Sequence, residues 1–223
     1  MTLDCSCDES GKIGREFDED ARDFCERYKK RGLSRSSKLL LKFISDNSIK
    51  DKTVLDLGCG AGGLSIELLK HGAQDVVGFD LSPRMIEAAN ELARASGFEG
   101  KAKFQEGNAA LAGLPTSDIV VLDKVLCCYS EWRPLLKSGM DASNGMVGFT
   151  VPRDEGVAKA PFRLGLRIAN YFQRRSGGVL FYLHPLGMIE QTLRDAGFRR
   201  LRKQTSRFWL VFLYSRSNNR PHA

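Results

Sequence analysis

The sequence lacks any apolar run long enough to cross a bilayer, for which a helix needs ~20 consecutive apolar residues. Its first residues, MTLDCSCDESGK, contain neither a basic segment nor an apolar core, so no secretory signal is predicted. We therefore expect a cytoplasmic protein. With 223 residues, 42% hydrophobic and 27% charged, the chain suits one globular domain with a full core.

Paired CxxC motifs are also missing, although the chain has six cysteines. A structural zinc site is therefore not predicted, no metal is assigned, and the thiols are expected to be reduced. Cys5 and Cys7, together with Cys25, leave a soft-metal site as an alternative to incidental thiols. No GK[ST] triplet follows the glycine-rich stretch, which excludes a P-loop.

Charge is unevenly distributed around a net value of +7. Residues 1–26 are acidic, whereas arginine dominates from Arg153 onward. A basic C-terminal third suggests an acidic substrate, an anionic lipid or a nucleic acid as partner. A solvated basic face is the alternative.

The stretch Val54–Ser65, VLDLGCGAGGLS, is central to the sequence. Its pattern predicts a buried strand, a tight glycine turn and a helix. Glycines let the backbone approach a ligand closely, because no Cβ intervenes. Backbone N–H groups at a helix start also suit an anionic group.

Strands alternate with helices after this stretch, which predicts right-handed βαβ units. The last two strands have no helix between them and must form an antiparallel hairpin. The predicted fold is an α/β, doubly wound, seven-stranded, mainly parallel sheet with a reversed last strand. Its strands are Thr53–Leu57, Asp75–Asp80, Lys101–Glu106, Ser117–Asp123, Gly145–Val151, Arg199–Thr205 and Phe208–Ser215.

We predict one α/β domain over residues 51–215, with residues 153–184 inserted in it as a lid, and less regular segments on either side. Residues 1–50 form a mobile N-terminus and a helical lead-in, with helices over 17–32 and 34–49. Residues 153–184, the lid segment, mix apolar and basic side chains. That segment is expected to line a pocket, touch a membrane surface or pack on the sheet edge. Residues 216–223 are expected to be a disordered tail.

Polar residues follow the predicted strands at one edge of the sheet. Asp80 ends the second strand 20 positions after Gly60, where a carboxylate can accept both hydroxyls of a ribose. Asn108 follows the third strand, where an amide can read an adenine edge. Asp56 is a further polar group within the first motif.

Four ordered segments, VLDLGCGAGGLS, VVGFDLSPRMIEAA, FQEGNAAL and DIVVLDKVLCCY, resemble the motifs of class I S-adenosylmethionine-dependent methyltransferases. The resemblance implies that S-adenosylmethionine lies across the carboxyl ends of strands one to four. It places the turn of Gly58, Cys59 and Gly60 at the methionine part and Asp80 at the ribose. The remaining contacts that it implies are Leu81, Asn108 and Ala109 at the adenine, and Asp123 with Lys124 near the transfer site.

A narrower resemblance concerns DKVLCCYSEWRPLL, which is similar to magnesium-protoporphyrin O-methyltransferases and to a related group of small uncharacterised methyltransferases. The porphyrin enzymes commonly carry a His-Tyr pair where this chain has Cys128 and Tyr129, which puts a porphyrin acceptor in doubt. The lead-in helix with Tyr28 also resembles theirs. Tyr28 either closes over the cofactor carboxylate or serves in helix packing.

Three side chains are candidates for chemistry at the acceptor. Tyr129 acts as a catalytic group or forms an aromatic wall, Cys128 is a base or a packed thiol, and His184 is a base or a helix cap. The leading hypothesis is methylation of a small molecule, on oxygen. The alternatives are a nucleic-acid or protein methyltransferase, and a non-catalytic S-adenosylmethionine-binding protein. Nucleic acid is disfavoured, because the [ND]PP[YF] tetrad is missing after strand four. The oligomeric state is not predicted.

Overall fold

The structure is a computed structural model that describes residues 5–111, 113–155, 159–176 and 178–217, without the side chains of 5–9 and 159–162. It contains one seven-stranded sheet in the order β3-β2-β1-β4-β5-β7-β6. β7 runs antiparallel to both neighbours, whereas the other pairs are parallel. The predicted fold class is thus confirmed. The strands are β1 (Thr53–Leu57), β2 (Asp75–Asp80), β3 (Ala102–Glu106), β4 (Ser117–Leu122), β5 (Ser143–Pro152), β6 (Phe198–Ser206) and β7 (Trp209–Arg216).

Helices cover both faces of the sheet. Two of them start at the caps that the sequence predicts: the Ser34 hydroxyl accepts from the backbone N–H of Ser37 at 3.3 Å, and that of Ser82 from Met85 at 3.0 Å. The helices are α1 (Cys5–Arg31), α2 (Arg35–Ser45), α3 (Gly63–Lys70), α4 (Pro83–Ala95), α5 (Trp132–Ala142), α6 (Lys159–Ser176) and α7 (Leu186–Asp195).

Alternation along the strands divides the core between the two faces. Leu55 and Leu57 of β1 pack in the same cluster as Leu135 of α5. Val54, one position away, packs in the opposite cluster with Ile66 of α3. Successive side chains of a strand point to opposite faces, so both faces of β1 are apolar and buried.

The first helix begins earlier than the sequence pattern predicts. α1 starts at Cys5, whereas we expect a helix only from Phe17. Its early turns are held by distant residues: a Cβ built on Gly14 would lie 2.7 Å from the carbonyl oxygen of Leu81. Asp18 accepts hydrogen bonds from the Ser82 hydroxyl (2.5 Å) and the Arg84 N–H (3.1 Å). Contacts with residues so distant in the chain produce no periodic pattern in the local sequence from which the start of the helix could be predicted.

The structure also describes the lid segment and the first residues of the predicted tail. The lid segment contains α6, and no helix in the described residues is long and apolar enough to span a membrane. β7 includes Arg216, the first residue of the predicted tail, whose guanidinium donates to the carbonyls of Met140 (2.7 Å) and Ser143 (2.9 Å). The rest of the predicted tail, residues 218–223, lies outside the described residues, as do the side chains of Cys5 and Cys7.

Candidate functional site

The glycine turn after β1 is tied to the neighbouring strand. The N–H groups of Gly58 and Cys59 both donate to the carbonyl of Phe79, at 2.7 and 3.0 Å. Gly58, Gly60 and Gly62 have φ values of 73°, 52° and 77°, in the left-handed region that favours glycine. The turn therefore presents its backbone, rather than side chains, towards the space above the sheet edge.

Asp80 links this turn to the start of α4. One carboxylate oxygen accepts the N–H of Gly60 at 2.8 Å, and the other accepts that of Ser82 at 3.0 Å. Burial raises the pKa of Asp80, and the backbone hydrogen bonds oppose that shift. Because a carboxylate offers about four lone-pair positions, each oxygen keeps capacity for one further donor.

Asp56 is the most deeply buried carboxyl of the site, with 1% of its surface exposed. The Ser65 hydroxyl donates to it at 2.6 Å. Burial, opposed by the Ser65 hydrogen bond and assisted by the charges of Asp123 and Asp80, raises the pKa of Asp56 to about 7. This carboxyl therefore changes charge near neutral pH.

A cavity of about 600 Å³ lies between α1 and the carboxyl ends of the central strands. Such a volume is within the range of ligand pockets. The cavity brings together most of the residues that the sequence singles out. Those lining it are Tyr28, Asp56, Gly58, Cys59, Gly60, Asp80, Leu81, Ala109, Asp123, Cys128 and Tyr129.

Tyr28 joins the cavity through its packing on the glycine turn. Its hydroxyl donates to Glu67 at 2.8 Å, and burial raises its pKa to about 12. A Cβ built on Gly63 would lie 2.9 Å from the tyrosine ring. The ring therefore rests directly on the start of α3, as a close aromatic wall.

Asn108 does not line the cavity, unlike its neighbours Gly107 and Ala109. Its amide nitrogen donates to the Ser10 hydroxyl at 2.9 Å, and its amide oxygen accepts the N–H of Ala110 at 2.9 Å. Both ends of the side chain thus hold α1 and the loop after β3. The expectation that this amide reads an adenine edge is not met by its orientation.

His184 also lies away from the cavity lining. Its Nε2 is 2.9 Å from the carbonyl oxygen of Leu126 and 2.8 Å from that of Tyr129. A nitrogen between two carbonyl acceptors must carry a proton, so Nε2 is a donor and is not itself the basic nitrogen. Burial lowers the pKa of His184. The histidine holds the loop after β4 and does not cap α7, whose N-cap is Pro185, while its role as a base stays a prediction.

Asp123 belongs to a polar cluster that the sequence does not reveal in full. It accepts hydrogen bonds from the hydroxyls of Ser37 (2.5 Å) and Thr150 (2.8 Å). The Lys124 ammonium lies 3.3 Å from the same carboxylate and also donates to Ser34 and Ser37, at 2.9 and 2.8 Å. Lys124 has φ 64°, an uncommon backbone conformation for a lysine. Ser34 gives a local signal because it caps α2, whereas Ser37 and Thr150 give none.

The lining of the cavity also includes cations and further aromatic rings. Among the described residues, those that contribute are Phe24, Arg27 and Arg31 of α1, Lys124, Phe181 of the lid segment and Trp209 of β7. Tyr129 and Cys128 form part of the buried wall, with exposures of 8% and 5%. The aromatic rings in this lining suit an acceptor molecule with an apolar body.

Comparison with known proteins adds family evidence to this geometry. The "Methyltransferase domain" family matches residues 48–144. The chain is 30% identical over 113 residues to the ribosomal protein L11 methyltransferase of Alteromonas mediterranea, covering 47% of this chain and 39% of that protein. It is 43% identical over 83 residues to protein arginine N-methyltransferase 1 of Saccharomyces cerevisiae, covering 37% and 22%. The chain thus spans less than half the length of these curated relatives.

A solved structure covers more of the chain. The crystal structure of magnesium protoporphyrin IX methyltransferase from Synechocystis PCC 6803, with bound SAH, has a TM-score of 0.72 and 21% identity. The match covers 92% of this chain and 98% of that one, and at this identity it concerns the fold. Residues 48–144 thus match a methyltransferase domain, which agrees with the resemblance of the ordered motifs to class I S-adenosylmethionine-dependent methyltransferases.

Proposed function

We propose that this protein transfers the methyl group of S-adenosylmethionine to an oxygen of a small-molecule acceptor. The observation that carries the proposal is the continuity of one cavity of about 600 Å³ from Asp80 to Trp209. The lining of this cavity includes the residues predicted to hold the cofactor together with cations and aromatic rings. Both reactants then fit between α1 and the sheet.

The residues predicted to hold the cofactor suit its chemical groups. The Asp80 carboxylate has the capacity to accept a ribose diol, and Leu81 and Ala109 offer apolar contact for a purine. Asp56 supplies a negative charge for an ammonium group. The glycine turn admits the chain of the molecule without a Cβ in its path.

S-adenosylmethionine supplies an activated methyl group on a positively charged sulfur. The protein's task is then to align the acceptor oxygen with the methyl carbon and to exclude water. A carboxylate acceptor needs no base, whereas a phenol must lose a proton. Tyr129 and Cys128 stand in the cavity wall as the candidate groups for that step.

Cofactor binding is expected to strengthen about tenfold as the pH rises from about 5.5 to about 7. The Asp56 carboxyl has its pKa raised to about 7, so it is mostly neutral at the lower pH. Only its ionised form attracts the cofactor's ammonium group. The range lies below that in which an α-amino group loses its proton, at ~7.7–8.0. Calorimetric titration with S-adenosylmethionine across this range measures the effect.

Asp56→Asn serves as the control for this pH dependence. Asparagine keeps an oxygen that accepts from Ser65, which lies 2.6 Å away in the native protein, but it has no charge to gain. We expect weak binding by this variant, with no rise over the same pH range. A rise as steep as that of the native protein would assign the titration to another group, such as Asp80, and would contradict the prediction.

A protein or nucleic-acid acceptor is the second hypothesis, and two observations favour it. The curated relatives include protein methyltransferases, and the chain has a net charge of +7. A cofactor-binding protein without transfer activity is the third, since an intact binding turn does not require catalysis.

Labelling of a cell extract distinguishes these hypotheses. The purified protein is incubated with extract and with cofactor labelled in the methyl group, and the extract is then separated into small molecules, protein and nucleic acid. We expect label in the small-molecule fraction, in a product whose methyl group is bound to oxygen. Asp80→Ala should abolish it. Label confined to protein or nucleic acid would refute the small-molecule proposal, and no label at all would favour the non-catalytic alternative.

A further inference from the structure

α6 has an exposed apolar face. Leu164, Ile168, Tyr171 and Phe172 have exposures of 60%, 51%, 51% and 63%. They recur at three- and four-residue intervals and therefore share one side of the helix. Large apolar side chains grouped on one exposed face usually mark an interaction surface.

The opposite side of α6 is fixed to the wall of the cavity. The Asn170 amide donates to the carbonyl of Phe181 at 2.7 Å and accepts its N–H at 3.0 Å. Phe181 lines the cavity. Because Asn170 holds this inner side, the apolar face points away from the protein while the helix remains attached to the cavity.

The charge on α6 has one sign. From Lys159 to Ser176 the sequence contains five basic residues and no acidic one. Arg163 is paired with Asp154, at 2.5 Å, and the guanidinium of Arg175 lies 4.6 Å from the ring centroid of Tyr171. Arg167 and Arg174 lie two turns apart along the same edge of the apolar face, with their side chains exposed.

We propose that this face of α6 binds an anionic lipid surface, with the helix lying in the plane of the interface. Apolar side chains would enter the boundary between headgroups and acyl chains, and the arginines would contact the negatively charged headgroups. A second copy of the chain fits less well, because two such faces would oppose like charges. The attachment through Asn170 would place the cavity beside the membrane, where an apolar acceptor is concentrated.

Flotation with lipid vesicles tests the proposal, and it needs no methyl transfer. We expect the full-length protein to float with vesicles of phosphatidylglycerol and phosphatidylcholine in equal parts, and to stay unbound with pure phosphatidylcholine. Replacing Arg167 and Arg174 by glutamine should weaken binding roughly 30-fold, from about a fivefold effect per basic residue at an anionic surface. The variant Ile168→Asn/Phe172→Ser should lose binding through its apolar contribution.

A matched control separates this face from the general positive charge. Arg22→Gln/Arg94→Gln removes the same charge from exposed positions of α1 and α4, and it should bind vesicles nearly as well as the native protein. The proposal would be overturned if both double arginine variants lost vesicle binding to the same extent, or if the native protein did not bind vesicles. Concentration-dependent dimers that Ile168→Asn/Phe172→Ser abolishes, without vesicle binding, would assign the face to a second copy instead.

Discussion

Replacement of Asp80 by alanine is expected to weaken S-adenosylmethionine binding about 100-fold. Hydrogen bonds to a charged group contribute ~1.5–3 kcal/mol each, so the loss of two to a ribose diol costs about 3 kcal/mol. The variant also loses the acceptors for the N–H groups of Gly60 and Ser82, which are 2.8 and 3.0 Å from the native carboxylate. Calorimetric titration of both proteins gives the ratio of dissociation constants.

Glu106→Ala is the matched control for that change. Glu106 pairs with Asp80 in register on the neighbouring strand, but its side chain is exposed and does not line the cavity. The Glu106→Ala substitution removes the same charge from the same edge of the sheet. The variant should bind S-adenosylmethionine almost as tightly as the native protein does. If Asp80→Ala bound the cofactor as tightly as Glu106→Ala does, the assignment of Asp80 to the ribose would be wrong.

Gly58→Ala is expected to lower the free energy of unfolding by about 3 kcal/mol. Gly58 has φ 73°, where an L-residue pays roughly 1–2 kcal/mol. Its new Cβ would also lie 2.3 and 2.9 Å from the two methyl carbons of Val125, which is inside van der Waals contact. Overpacking of this kind costs typically ~1–3 kcal/mol. Urea denaturation, with the slope checked for two-state behaviour, measures the change.

Two further variants separate the backbone cost from the overlap. Gly97 has φ 76°, but nothing lies within 4 Å of a Cβ built there, so Gly97→Ala should lose only about 1 kcal/mol. Adding Val125→Ala to Gly58→Ala removes the obstructing methyl groups and should recover part of the loss. If Gly58→Ala cost no more than Gly97→Ala, the close contact with Val125 would be refuted.

Much of the architecture follows from local patterns. The strands Thr53–Leu57 and Asp75–Asp80 have the predicted bounds, because a short apolar run between a turn and a glycine motif has few other solutions. Ser34 and Ser82 cap the expected helices through hydrogen bonds only three residues away. The antiparallel ending follows equally from sequence, since a short connection cannot join parallel strands.

The site is predictable only where its residues belong to such a local motif. The glycine turn and Asp80 carry a recognisable spacing, and both line the cavity. Asn108 and His184 also occupy suggestive positions, yet their side chains bind Ser10 and two backbone carbonyls instead. Position along the chain indicates the edge of the sheet at which a residue lies. The direction of a side chain depends on partners that are distant in sequence.

The sequence by itself determined the sheet, the glycine turn and the methyltransferase family, because each rests on short-range spacing or on an ordered set of motifs. Only the tertiary structure decided what surrounds the donor site. α1 covers the cavity through contacts such as that of Gly14 with Leu81, across 67 positions of the chain. Asp123 accepts hydrogen bonds from Ser37 of α2 and Thr150 of β5, which are two different elements. Contacts of this kind depend on how the helices and strands pack, and the periodicity of the local sequence does not predict them.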